Sequence, residues 1–126
     1  TPCSRTLLRG CSPDPAWTDH ALGDRWDGIL EIRGQVWQAV EQARRERGLG
    51  GSLEARVTLR GAVPAADWPA LLIVSEVEIA GDGPGAVTVD KARGRKCARC
   101  WRWTEDGGRA ADHPELCARC AEVVRA

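Results

Sequence analysis

Two cysteine pairs carry the most readable chemistry in this sequence. Cys97 and Cys100 are separated by two residues, sixteen residues follow, and Cys117 and Cys120 repeat the pair, giving C-x2-C-x16-C-x2-C. Two intervening residues let a tight turn bring both sulfurs of a pair to one metal at about 2.3 Å, and a second pair completes a tetrahedron. Four thiolates leave no open position for water, so the expected cofactor is one structural Zn2+ that holds a small ribbon together and activates nothing. His113 is a second-choice ligand. With four cysteines at hand, the Asp112-His113-Pro114-Glu115 run reads instead as a turn in which Asp112 caps a helix and Pro114 occupies its first turn. Cys3 and Cys11 share no ligand spacing with the four and are expected to be free thiols.

The cysteines sit in a basic neighbourhood. Residues 91–126 hold nine Lys or Arg against five Asp or Glu, whereas residues 1–90 hold nine against thirteen. Arg95, Lys96, Arg99, Arg102 and Arg119 flank the pairs. Two readings of this cluster stand side by side: it offsets the charge of four thiolates on a dication, or it contacts nucleic-acid phosphates. Trp101 and Trp103 follow the first pair directly. The expectation is that Trp101 packs the small core and Trp103 faces outward, free to stack on an unpaired base.

The rest of the chain limits what else it can do. At 126 residues it has about the length of one domain. Eighteen basic and eighteen acidic residues cancel, so no global field draws it to nucleic acid or an anionic membrane. No stretch approaches the roughly 20 apolar residues of a membrane span, no secretory signal is visible, and nothing points out of the cytoplasm. The only aromatics are six tryptophans, so the core must rest on Leu, Val, Ile and Ala. Ser52 and Ser75 have no histidine placed by a motif, His20 is isolated, and no phosphate loop or dinucleotide glycine pattern occurs. No catalytic residue is assigned.

The elements that must position the cysteines follow from periodicity. Residues 1–23, with Pro2, Pro13 and Pro15, read as a lead-in. Over 24–47, Trp26, Ile29, Leu30, Val36, Trp37, Val40 and Ala43 recur at the spacing of one buried helical face. Arg44, Arg45 and Arg47 suit the helix end before Gly48, Gly50 and Gly51 stop it. Leu53, Ala55, Val57 and Leu59 alternate with charged and polar residues as in a half-buried strand. A short helix over 65–72 and a strand over 73–79 follow, the latter with Ser75, Val77 and Ile79 on one face. Next come a break at Gly81, Gly83, Pro84 and Gly85, and a third strand over 86–91. Asp106-Gly107 is a hairpin-turn dipeptide, which places the ribbon between 101–104 and the residues after Gly108. The fold class is therefore α+β: one long helix on a small, mostly antiparallel sheet, followed by a four-cysteine zinc ribbon. The chain divides into 1–50, the end of a helical domain, 51–90, a small α+β segment, and 91–126, the zinc module.

Lys96-Cys97-Ala98-Arg99-Cys100-Trp101, Thr104-Glu105-Asp106 and His113-Pro114-Glu115-Leu116-Cys117-Ala118-Arg119-Cys120 resemble the C-terminal zinc finger of bacterial isoleucyl-tRNA synthetase. Upstream, Arg33, Val36, Ala39-Val40-Glu41, Ala43-Arg44 and Ser52-Leu53-Glu54-Ala55 resemble the family's last anticodon-domain helix and the strand after it, and Ile73-Val74-Ser75-Glu76-Val77 resembles a further segment before the finger. The likeness covers residues 17–124. It implies the C-terminal part of a class I aminoacyl-tRNA synthetase, which joins isoleucine to its tRNA using ATP, with the catalytic and editing parts far upstream. The implied partners are isoleucine tRNA and the remaining synthetase polypeptide. Arg95, Lys96, Arg99, Arg102 and Trp103 are the expected RNA contacts, from their charge and position. Two rivals remain. One is the zinc finger of formamidopyrimidine-DNA glycosylases, which the long helix and following strand oppose; the other is a freestanding zinc-ribbon adaptor for another protein or for generic nucleic acid.

Overall fold

The protein is described by a computed structural model, which places residues 14–81 and 87–126. Cys3 and Cys11 lie outside the described residues, as does most of the expected glycine break at 81–85.

The long helix, α1 (His20–Arg47), has 28 residues and begins one turn earlier than its apolar periodicity indicates. Asp19 sets the start: its carboxylate accepts from the Leu22 N–H at 3.0 Å, satisfying one of the free donors of the first turn. Gly48 ends it in the left-handed conformation at φ 68°, which glycine adopts without side-chain strain. The buried face is narrower than expected. Ile29, Val36, Val40 and Ala43 are buried, with Ile32 and Ala39 packed beside them, whereas Trp26, Leu30 and Trp37 keep 42%, 49% and 43% exposure. The helix packs on the sheet and one short helix, which cover a single stripe of it, and the residues of its first two turns are exposed.

After a turn of 3-10 helix at Ser52–Glu54 comes β1 (Ala55–Arg60), whose Ala55, Val57 and Leu59 point into the core as the alternation requires. Helix α2 (Trp68–Leu72) follows, capped by Asp67. Trp68 is 1% exposed and donates its indole N–H to the Pro64 carbonyl at 2.9 Å, so the one large aromatic in this core leaves no polar group unpaired. Ile73 closes α2 in the left-handed region, so the next strand, β2 (Glu76–Ala80), starts later than expected. Val77 touches the core, but Ile79 is 52% exposed. Strand β3 (Val87–Lys91) completes a sheet of order β2-β1-β3. β1 pairs with β3 antiparallel, Val57 opposite Val89, and with β2 parallel, Val57 opposite Val77. The parallel pair is possible because α2 supplies the crossover between β1 and β2.

Beyond β3, strands β4 (Arg95–Lys96) and β5 (Trp103–Thr104) form an antiparallel hairpin, and the chain ends in α3 (Ala118–Arg125). With the sheet pairings two to one in favour of antiparallel among the described residues, the α+β architecture with a long helix and a terminal ribbon holds. The ribbon hairpin itself differs from expectation. Its strands flank the first cysteine pair, and Asp106-Gly107 lies in a turn with no strand following it.

Candidate metal centre

The hairpin β4–β5 carries Cys97 and Cys100 in the loop at its tip, a loop closed by backbone bonds of 2.9 Å from Cys97 N to Arg102 O and from Trp101 N to Cys97 O. The second pair is built differently. Cys117 stands at the N-cap of α3 and Cys120 in its first turn, so one helical turn, rather than a second hairpin loop, brings their sulfurs together. Leu116 and Ala121 are buried beside the cysteines and make with them a core separate from that of the sheet. Bonds from Ala98 N to Glu115 O at 3.1 Å and from Gly108 N to Leu116 O at 3.2 Å tie the two halves together.

All four sulfurs lie within 4.8 Å of one another, and Cys100 Sγ and Cys117 Sγ are 3.8 Å apart. A zinc–sulfur tetrahedron with bonds of about 2.3 Å has edges of about 3.8 Å, so the donor set fits one zinc in both number and size. Cys97, Cys117 and Cys120 are buried and Cys100 is half-buried. Burial pushes the Cys117 thiol up to about 12 and that of Cys100 upward. Burial acts the same way on Cys97, but N–H groups of Cys100, Cys117 and Arg99 facing its sulfur outweigh it and bring that thiol down to about 6. Metal ligation requires the thiolate form of each cysteine, so zinc binding would release protons from the site. His113 takes no part: its ring lies 3.8 to 3.9 Å from Glu115 and Asp112 carboxylates and outside the sulfur group. Asp112 does not cap a helix. It pairs with Arg125 near the end of α3.

The basic residues around the cysteines differ in placement. Arg99 Nη1 is 3.7 Å from Cys120 Sγ and so faces the sulfurs, where it offsets thiolate charge. Arg95 and Lys96 are exposed, and Arg102 is half-buried. The tryptophans are reversed relative to the sequence reading. Trp101 is 61% exposed, and Trp103 is half-buried with its indole nitrogen out of solvent contact. The reason is local: Trp101 sits at φ 67°, inside the tip loop rather than in a strand, so strand alternation does not apply to it. The Lys96 ammonium lies 5.3 Å from the Trp101 ring centre, and that of Lys91 5.1 Å from Trp103.

Gly94 is a site residue that the sequence reading passed over. At φ 91° it turns the chain into β4, and a Cβ there would lie 2.0 Å from the Thr104 carbonyl oxygen. A glycine three positions before a CxxC pair, with two basic residues between, is the signal that could have found it.

Comparison with known proteins agrees with this geometry. The family described as zinc finger found in FPG and IleRS matches residues 94–123, a span that begins at Gly94 and includes all four cysteines. Isoleucine–tRNA ligase of Gluconobacter oxydans is 41% identical over 95% of this chain, and those of Geobacter sulfurreducens and Symbiobacterium thermophilum are 39% and 34% identical over 88% and 98%. The chain spans only 14%, 14% and 16% of the length of these three relatives. The zinc finger alone is common to both kinds of protein named by its family, but the likeness along the helix and sheet is to isoleucine–tRNA ligases. The chain is therefore similar, along nearly its whole length, to a segment of isoleucine–tRNA ligase that bears the zinc finger found in FPG and IleRS.

Proposed function

We propose that this chain works as the tRNA-binding, zinc-containing part of an isoleucine–tRNA ligase, contributing recognition on the anticodon side while ATP-dependent aminoacylation is carried out elsewhere in a longer cytoplasmic polypeptide. In this reading Cys97, Cys100, Cys117 and Cys120 ligate the zinc, and 91–126 acts as a module on the α+β segment 51–90 and the helical end 1–50. The observation that carries the reading is the likeness to isoleucine–tRNA ligases across helix, sheet and finger together. The surface chemistry supports it. Trp101 presents an exposed indole face beside the Lys96 ammonium, a pairing suited to stacking one unpaired base and neutralising its phosphate.

Among the expected RNA contacts, Lys96, Arg95 and Arg102 keep that role, Arg99 serves the sulfurs first, and Trp101 takes the stacking position assigned to Trp103. No helix among the described residues is long and apolar enough to cross a membrane. The test is binding of the zinc-loaded chain at low salt to isoleucine tRNA, to an anticodon-swapped copy and to duplex DNA. Preference for the isoleucine anticodon is expected, with a loss of about 1–3 kcal/mol for Trp101→Ala. Equal binding to all three would favour a general nucleic-acid ribbon, and binding to none a protein adaptor.

A further inference from the structure

Between the zinc module and the sheet lies a slot of about 300 Å³. One wall is Gly50, Gly51, Ser52, Leu53 and Glu54; the other is Lys96, Trp101 and Trp103. The covalent path between the two units runs through Ala92, Arg93 and Gly94, and the Ala92 N–H donates to the Glu54 carbonyl at 2.7 Å. Arg93 adds ion pairs to Glu76 and, at 3.9 Å, to Glu105, but its side chain is 52% exposed, where such pairs contribute little.

One partly buried group touches both walls. The Ser75 hydroxyl donates to the Leu53 carbonyl and accepts the Trp103 backbone N–H at 2.8 Å, while the Ser75 N–H donates to Ala55 O at 3.3 Å. A hydroxyl has one hydrogen to donate, and here it is committed to one wall while a lone pair holds the other. Leu53 belongs to the turn that forms the first wall. Trp103 lies opposite Lys96 in the hairpin whose tip carries Cys97, Cys100 and Trp101.

We propose that Ser75 is a positioning residue: its hydroxyl clamps the Leu53 turn to the Trp103 strand and so sets the width of the slot beside Trp101 and Lys96. The clamp also links the metal to the slot, because the strand it grips is the one that the metal-bearing loop holds in place. Ser75 touches no ligand itself. The part of this proposal that concerns RNA rests on the reading given under Proposed function; the clamp does not.

The test compares the zinc-loaded chain with Ser75→Ala and with Ser75→Thr, which retains a hydroxyl. Amide hydrogen exchange at Trp103 should rise roughly tenfold in Ser75→Ala, the scale of one lost hydrogen bond. Exchange at Cys97, Trp101 and across β1 should not change, and zinc content should remain at one per chain. Ser75→Thr should restore protection at Trp103. Affinity for isoleucine tRNA should fall several-fold in Ser75→Ala. Unchanged exchange at Trp103 would overturn the clamp, and so would loss of protection throughout β1, since a clamp can be removed with both units folded. Faster Trp103 exchange with unaltered tRNA affinity would overturn its role in setting the slot. A wild-type chain that binds no tRNA refutes the RNA reading alone, and the exchange data then still decide the clamp.

Discussion

Replacing Gly94 by alanine should damage the zinc module through its backbone rather than through its ligands. At φ 91° an L-residue is strained by about 1–2 kcal/mol. The added Cβ would lie 2.0 Å from Thr104 O, 2.3 Å from Thr104 C and 2.6 Å from Glu105 N, all backbone atoms that no rotamer change can move aside. Because real Cβ contacts essentially never fall below 3.0 Å, β5 must retreat by roughly an ångström. That movement weakens the pairing of Arg95 with Thr104 and of Lys96 with Trp103. Strain and lost hydrogen bonds together come to about 2–4 kcal/mol. Folding of this module and zinc binding are one equilibrium, so competition against a chromophoric chelator should show zinc affinity reduced from about 30-fold to several hundred-fold. Gly107→Ala is the control: its Cβ would be 3.3 Å from the Arg95 side chain, a contact that small shifts relieve. Zinc affinity of Gly94→Ala within threefold of the parent chain would refute the reasoning.

Three further outcomes follow from the same structure. Trp68→Ala should cost about 3–5 kcal/mol in urea denaturation of the α+β unit while leaving zinc affinity within twofold, because Trp68 belongs to the sheet core and not to the cysteine core. Gly28→Ala, mid-helix with open space around the new methyl, should raise stability by about 0.5–1 kcal/mol; a loss would show that α1 needs the glycine for a contact. The Asp112 carboxyl should titrate in an NMR experiment near pH 2 rather than 3.8, owing to its hydrogen bonds with Arg125, and Arg125→Ala should return it to the ordinary range. A pKa depressed on folding means that the stabilisation is fully present above pH 3.8 and is lost as pH falls through about 2. The pair is exposed, so a stability difference between parent and Arg125→Ala should be small at neutral pH and vanish below that window.

Some of this protein could be read directly from its residues because the responsible forces are local. Two residues between cysteines dictate a turn that gathers sulfurs. Period two in Ala55, Val57 and Leu59 dictates which side chains enter the core, and arginines followed by Gly48 dictate where α1 ends. The burial of α1 was decided elsewhere. Seven apolar residues share its expected face, yet the neighbouring sheet and α2 cover one stripe, leaving Trp26, Leu30 and Trp37 half exposed. Long-range partners were equally hidden. Ser75 meets Trp103 across 28 residues, and Asp112 meets Arg125 rather than capping a helix, contacts that no local pattern encodes. The tryptophan pair shows the difference most directly. Alternation places residues two apart, such as Trp101 and Trp103, on one face of a strand, yet the two differ in exposure. The tip loop, by holding Trp101 at a positive φ, takes it out of the strand and turns it to solvent, while β5 tucks Trp103 under Lys91. Sequence by itself determined the spacing of the four cysteines, the long helix and the first strand; the folded structure determined which elements carry the second cysteine pair and which surface each element presents, because burial depends on what packs opposite.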